Sequence, residues 1–342
     1  MAAVLYGKQQ LQVEAVEVPA IGSDDVLVRV KTALTCGTDV KVFRRGYHAR
    51  MIVPPALFGH ELAGDIVAVG ENVEGFHVGE RVVAANSAPC QECFYCRRGL
   101  ENLCDDLLFN NGAYAEYIRI PARIVQRNLY HVPAHVSYQD AALIEPLACV
   151  LRGLEETAIR PGDNVVVIGL GPIGLMFVRL AKVVYGARVL AIGRRKTQLD
   201  RATSMGADEL LLSSDTETMV REVRALTGGR GTDIAIEAVG HPDAWETALR
   251  ILRRGGTVNF FGGCPNDSRI GLDTSLMHYS EITCKASFHH TPSHIRKALD
   301  IVSRGDINAR DFVNRVEPLA NILDVMRHLM SHNGHMKTAI IP

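Results

Sequence analysis

The sequence predicts an α/β chain of two domains, one β-rich with irregular loops and one built on a doubly wound parallel sheet. Three observations predict it. The chain has 342 residues, a length that suggests about two cores. Its texture changes near Pro161, from short alternating runs to continuous apolar ones. The stretch "DNVVVIGLGPIGLMFVRLAKVVYGARVLAIGRR" then reads as strand, glycine turn, amphipathic helix and second strand, a βαβ unit.

Each element follows from its pattern. Over the first 145 residues, "DVLVRVKTALT" alternates apolar with polar, and "GDIVAVGENV" and "GERVVAAN" are strands bounded by Gly, Glu and Asn. After the βαβ unit, "TDIAIEAVG" and "GGTVNFFGG" read as buried strands. "HPDAWETALRILRRGG" between them reads as a helix with Ala244, Ala248, Ile251 and Leu252 on one face. Residues from Asn164 to about Cys284 therefore make the parallel sheet. "PSHIRKALDIVSRGDI" and "LANILDVMRHLMSHN" are amphipathic helices expected to return to the first domain.

Composition narrows the function. Apolar residues make up 47%, charged ones 22%, and the net charge is −1. That is ordinary globular composition, with no basic patch to suggest nucleic acid or an anionic membrane surface. No run of about 18 apolar residues suggests a membrane span, and no signal peptide is read at "MAAVLYGKQQLQVEAVEV". A cytoplasmic protein acting on a small molecule is expected.

Four cysteines lie close together in "CQECFYCRRGLENLC", spaced Cys90-x2-Cys93-x2-Cys96-x7-Cys104. They could form a disulfide staple or hold a metal. In a reducing compartment thiols stay free unless a metal takes them, and short C-x2-C steps let one loop wrap a zinc ion. Four thiolates leave no open coordination position, so this zinc would be structural.

Gly169-Leu-Gly171-Pro172-Ile173-Gly174 follows the strand "NVVVI" and opens a helix. In that setting G-x-G-x-x-G is a phosphate turn. Gly169 allows the tight turn, Gly171 lets a pyrophosphate approach, and Gly174 lets helix and strand pack closely.

Cys36 lies in "TCGTD" and His60 in "FGHELAG". "GHELAGDIVAVGENV", with Gly59, Gly64 and Gly70, matches the zinc alcohol dehydrogenase signature, and the four-cysteine lobe and the phosphate turn follow it in order. Along essentially its whole length the chain resembles the zinc-containing medium-chain dehydrogenase/reductase family, in its polyol and threonine dehydrogenase-like branch. The resemblance implies a GroES-like catalytic domain of residues 1–148 and 286–342 carrying the structural zinc lobe. It implies an inserted Rossmann cofactor domain of residues 149–285.

The same resemblance makes Cys36 and His60 ligands of a catalytic zinc, with Glu61 either a ligand itself or placed just behind the ligands. Glu145, in "IEPLAC", would reach that zinc directly or through water. Two zinc ions per chain are therefore expected. Thr38 would take the alcohol proton. Many relatives have a histidine at the position of Lys41; Lys41 either passes the proton on, contacts cofactor phosphate, or is a solvated lysine. Cofactor contacts are expected from the glycine turn, from Gly193, Arg194 and Arg195, and from Val239.

NADP is favoured over NAD. An NAD enzyme usually carries an acid about 20 residues past the glycine turn, where it holds the ribose hydroxyls. Here "ARVLAIG" ends at Gly193, Arg194 and Arg195 follow, and the nearest acid, Asp200, falls on the next helix. The alternative has Arg194 stacked on adenine and NAD accepted. For substrate, Glu145 with Pro146 suggests a secondary alcohol of polyol, cyclitol or sugar-alcohol type; an amino alcohol such as threonine is the alternative. Tyr47, Phe109, His289 and His290 are candidate pocket residues, whereas "KASFHHTP" lacks the Arg–Tyr pair common in polyol relatives. A zinc-free enone reductase would not need Cys36, His60, Glu61 and Glu145 together. A zinc-organised binding module without catalysis is the reading from another class. The resemblance also suggests a homodimer or homotetramer.

Overall fold

In the computed structural model, which describes residues 1–331 and 336–342, the run "VLVRVKTAL" forms the strand Val26–Leu34. The strand exposes only Arg29, so it is buried on both faces rather than half-buried. It is central to a sheet ordered Leu129–His131, Arg81–Ala84, Glu61–Val69, Val26–Leu34, Lys337–Ile341 and Val313–Pro318, and Tyr117–Ile120 also pairs with it. Phe43, Phe58, Tyr114, Ile120 and Ile124 fill the core against this sheet. These residues belong to a unit formed by Met1–Ala148 and His290–Pro342.

Cys149–His289 forms the second unit. Its six parallel strands are ordered Glu209–Leu212, Arg188–Gly193, Asn164–Ile168, Thr232–Glu237, Leu252–Phe260 and Thr283–Ala286. The order reverses between Asn164–Ile168 and Thr232–Glu237, which makes a crevice at the carboxyl ends of those strands. The near-continuous burial of "NVVVI" is what a strand covered on both faces requires.

Three details differ from the sequence reading. The helix Pro242–Arg250 stops before Ile251 and Leu252, and Leu252 opens the next strand by pairing with Thr232 through a register shift. The return to the first unit comes at His290 rather than at 286. The chain after Thr283–Ala286 is still tied to the second unit: Asn259 Nδ2 donates to Ser287 Oγ at 3.0 Å, and Arg152 donates to the Phe288 carbonyl at 2.8 Å. A helix, Gly37–Arg45, lies in the region read as strands and turns. The helices Pro292–Ser303 and Ile322–Ser331 match expectation, while the end of "LMSHN" runs outside the described residues. Among the described residues no helix is long and apolar enough to cross a membrane.

Candidate active site

Strand register assembles the site. Val26–Leu34 pairs antiparallel with Glu61–Val69 so that Leu34 faces Glu61. Cys36, just past Leu34, therefore meets His60, just before Glu61. Lys337–Ile341 pairs with the other edge of the same strand, Ala339 facing Leu34, and brings Lys337 to the same end. The ligand atoms of Cys36, His60 and Glu61 all lie within 4.8 Å of one another.

Cys36 caps the helix Gly37–Arg45. Its sulfur accepts from the Thr38 N–H at 3.4 Å, and its own N–H donates to Asp39 Oδ2 at 3.1 Å. This is a capping box with sulfur in place of a hydroxyl, and it sets the cysteine sulfur at the positive end of a helix. Asp39 is buried and works in three directions. Besides the Cys36 amide, it accepts from the Tyr114 hydroxyl at 2.6 Å, and its Oδ1 lies 2.9 Å from His60 Nδ1. A proton on Nδ1 satisfies that contact and leaves the Nε2 lone pair for a metal. Burial pulls the imidazole pKa down, but the Asp39 carboxylate and the Cys36 sulfur outweigh it and hold the pKa well above the usual value.

Glu61 is fully buried, and both its oxygens lie 2.6 Å from the Lys337 ammonium, which also donates to the Thr35 carbonyl at 3.0 Å. Burial works against a charged Lys337; the Glu61 and Cys36 charges more than compensate, and its pKa is raised. Glu145 stands outside the 4.8 Å group, yet His60, Glu61 and Lys337 all act on its charge. Burial pushes its carboxyl up to about 7. His290 Nε2 lies 3.7 Å from Glu145 and 3.2 Å from Asn86 Oδ1.

A zinc ion fits this donor set: a sulfur primed by a helix N-terminus, an imidazole turned by a carboxylate, and two buried acids. It fits the cysteine lobe as well. Cys90, Cys93, Cys96 and Cys104 are unbridged, with Sγ–Sγ separations of 3.4, 3.9 and 4.0 Å. Tetrahedral thiolates around zinc stand about 3.8 Å apart. Burial and neighbouring thiols push Cys96 up to about 12, whereas backbone N–H groups hold Cys93 down to about 6.

In the second unit the glycine turn caps the helix Pro172–Val183, with Gly171 at the cap and Pro172 at the first helical position. A Cβ on Gly174 would lie 1.7 Å from the Gly169 carbonyl oxygen, so only glycine fits. Gly193 is buried at its strand's end, Arg194 and Arg195 are exposed, and Asp200 on the following helix is paired with Lys196 at 3.2 Å.

The other expected residues are placed as follows. Thr38 is half-buried in the first helical turn, and Lys41 is exposed on the same helix. Tyr47 is exposed, and Phe109 is half-buried in a short strand beside Ser87. His290 is buried in the first unit rather than at a pocket rim, whereas His289 belongs to the second. Sequence reasoning missed Asp39, Tyr114 and Lys337. Only Asp39 left a signal, as the acid at the third helical position after Cys36.

A cysteine–imidazole donor set in a β-rich unit, joined in one chain to a phosphate turn on a parallel sheet, defines a class: dehydrogenases that use a metal and a dinucleotide. Family comparison sharpens this. Residues 22–133 match the alcohol dehydrogenase GroES-like domain, and residues 172–304 match the zinc-binding dehydrogenase domain. The chain belongs to the zinc-containing medium-chain dehydrogenase family and is an oxidoreductase acting on CH–OH groups. It is similar to sorbitol dehydrogenase of Bacillus subtilis (strain 168), with 30% identity over 100% of this chain and 97% of that one. It is 37% identical to L-threonine 3-dehydrogenase of Bacillus licheniformis over 74% of this chain and 73% of that one. A solved structure described as a zinc-binding dehydrogenase from Sinorhizobium meliloti 1021 bound to NADP superposes with a TM-score of 0.90, at 28% identity over 100% of this chain and 98% of that one. The alternative of a non-catalytic binding module is not favoured.

Proposed function

We propose that this protein interconverts a secondary alcohol of polyol, cyclitol or sugar-alcohol type with its ketone, using NADP. The observation that carries the reading is the convergence of a half-buried Cys36 with buried His60 and Glu61, with Asp39 behind the imidazole. Cys36 and His60 hold the catalytic zinc, with Glu145 or Glu61 completing its ligands. Cys90, Cys93, Cys96 and Cys104 hold a second, structural zinc. When bound, the catalytic zinc supplies a Lewis acid that favours the ionised alcohol, and the nicotinamide supplies a hydride acceptor.

The chain's own residues do the rest. Thr38 takes the alcohol proton through its hydroxyl, and Lys41 on the same helix passes it to solvent. Asp39 keeps the His60 proton on Nδ1. The turn from Gly169 to Gly174 receives the pyrophosphate at a helix N-terminus. Gly193 leaves room for a 2′-phosphate, and Arg194 and Arg195 pair with it. Glu145 and His290, both buried beside the site, are polar groups suited to a substrate with several hydroxyls. The protein is read as cytoplasmic and as a homodimer or homotetramer.

The test is a panel of polyols, inositols, sugar alcohols and amino alcohols, L-threonine among them, assayed with NADP and with NAD. The reading expects the highest kcat/KM on a polyhydroxylated secondary alcohol with NADP. A simple primary alcohol such as ethanol giving a far higher value than any polyol or amino alcohol would overturn it.

A further inference from the structure

Glu237 ends the strand Thr232–Glu237, on one side of the crevice where strand order reverses. It is fully buried. One carboxylate oxygen accepts the N–H groups of both Val239 and Gly240, at 2.7 and 2.9 Å. Its main-chain carbonyl accepts those of Phe261 and Gly262, at 3.1 and 2.8 Å. Two turns, one after each of two neighbouring strands, thus hang on a single residue.

The turns also press on each other without side chains between them. A Cβ on Gly262 would lie 2.3 Å from the Gly240 nitrogen, and one on Gly240 would lie 2.5 Å from the Gly263 carbonyl oxygen. The Trp245 indole donates to the Gly262 carbonyl at 3.0 Å and stacks on Phe260 at 4.0 Å, bracing the second turn from below.

What this frame holds up is Val239. Its side chain abuts the phosphate turn: a Cβ on Gly169 would lie 2.5 Å from Val239 Cγ2. Yet Val239 is 44% exposed. An apolar side chain held rigidly from beneath, open to solvent beside the phosphate turn, is a wall awaiting a ligand.

We propose that Glu237 is a positioning residue for the dinucleotide: its buried carboxylate fixes the Val239–Gly240 turn, and through it the apolar wall that the cofactor lies against. The proposal rests on the nucleotide-binding reading of this unit. One carboxylate oxygen accepting from two consecutive amides ties the turn to the end of the strand at two points.

The sequence contains one tryptophan, Trp245, so the chain carries its own reporter within this frame. Full-length, zinc-loaded protein is titrated with NADPH and with NADH, following Trp245 emission and energy transfer to the dihydronicotinamide. E237A is expected to weaken cofactor binding at least about tenfold, and E237Q, which keeps the shape and loses the charge, by an intermediate factor. V239A is expected to weaken binding without lowering the urea midpoint. Because Glu237 acts through Val239, E237A should add little in a V239A background. The KM for cofactor should rise while zinc content and the KM for the alcohol hold, a split that a merely structural role would not produce. If E237A does not fold, E237Q alone and combined with V239A gives the same comparison. Unchanged affinity in E237Q and V239A, or a full additional loss when Glu237 and Val239 are changed together, would overturn the proposal. A wild type that binds neither nucleotide would overturn the functional reading instead.

Discussion

Replacing Lys337 with methionine tests whether the buried site depends on an internal ion pair. The Lys337 ammonium lies 2.6 Å from each oxygen of Glu61, and the two side chains are only 4% and 0% exposed. Methionine nearly matches the lysine stem in volume, so little cavity forms. The main cost is a carboxylate left without its cation, away from water, and breaking such a pair from one side costs about 3–5 kcal/mol. Adding Glu61→Gln removes the stranded charge. The double variant should recover most of the loss, short of about 1 kcal/mol for the donor that the Thr35 carbonyl no longer receives. By contrast, Lys196→Met breaks a pair whose side chains are 87% and 58% exposed, and should cost no more than about 0.5 kcal/mol. Urea denaturation followed by far-UV circular dichroism measures all four proteins, with zinc content determined in parallel. The reasoning fails if Lys337→Met stays within about 1 kcal/mol of wild type, or if the double variant is no more stable than the single one.

Thr38→Ala should lower alcohol oxidation by about 10² or more, and Thr38→Ser should keep most of it; equal near-wild-type rates for both would place the proton elsewhere. Cys93→Ser should lose about one zinc per chain by elemental analysis and lower the urea midpoint, because metal binding and folding of the lobe are linked. Arg194→Ala should weaken NADP more than NAD in kcat/KM, and Gly193→Asp should swing preference towards NAD. The new Cβ would sit 2.7 Å from Leu170 Cδ1, the far end of a side chain that can turn away. The Glu80 carboxylate is held down to about 2 by the His77 backbone N–H and then by His131. A depressed acid stabilises the fold above its unfolded value of 4.5 and loses that contribution as pH falls through about 2. The stability advantage of wild type over Glu80→Gln should therefore close across that window in urea titrations run at stepped pH.

Features set by short spacing were legible in the sequence. The turn from Gly169 to Gly174 and the Cys90–Cys104 loop have geometries that neighbouring residues dictate: the turn opens a helix, and the four sulfurs lie within 4.8 Å of one another. The parallel sheet was legible because strands covered on both faces must be continuously apolar. The helix Gly37–Arg45 was not. Its "TDVKVF" mixes β-branched residues with polar ones, and its cap is a cysteine, which does not advertise a helix start. Lys337 and Tyr114 were out of reach for another reason. Their place beside Glu61 and Asp39 is decided by strand register and packing, and no local pattern encodes which distant residue a register will select. The contact of His290 with Asn86, which lies 204 positions away, is equally long-range.

The Glu61–Lys337 pair spans 276 positions of sequence, and the whole of the Cys149–His289 unit lies between its members. This sets an order of events during synthesis. The nucleotide unit is one uninterrupted segment whose strands pair only with one another, so it can close as soon as it leaves the ribosome. The other unit cannot. Its sheet lacks two strands, and its buried acid lacks a counter-ion, until residues far downstream emerge. Maturation of the metal-binding half is thus tied to a late, long-range strand insertion, the slowest kind of contact for a chain to make.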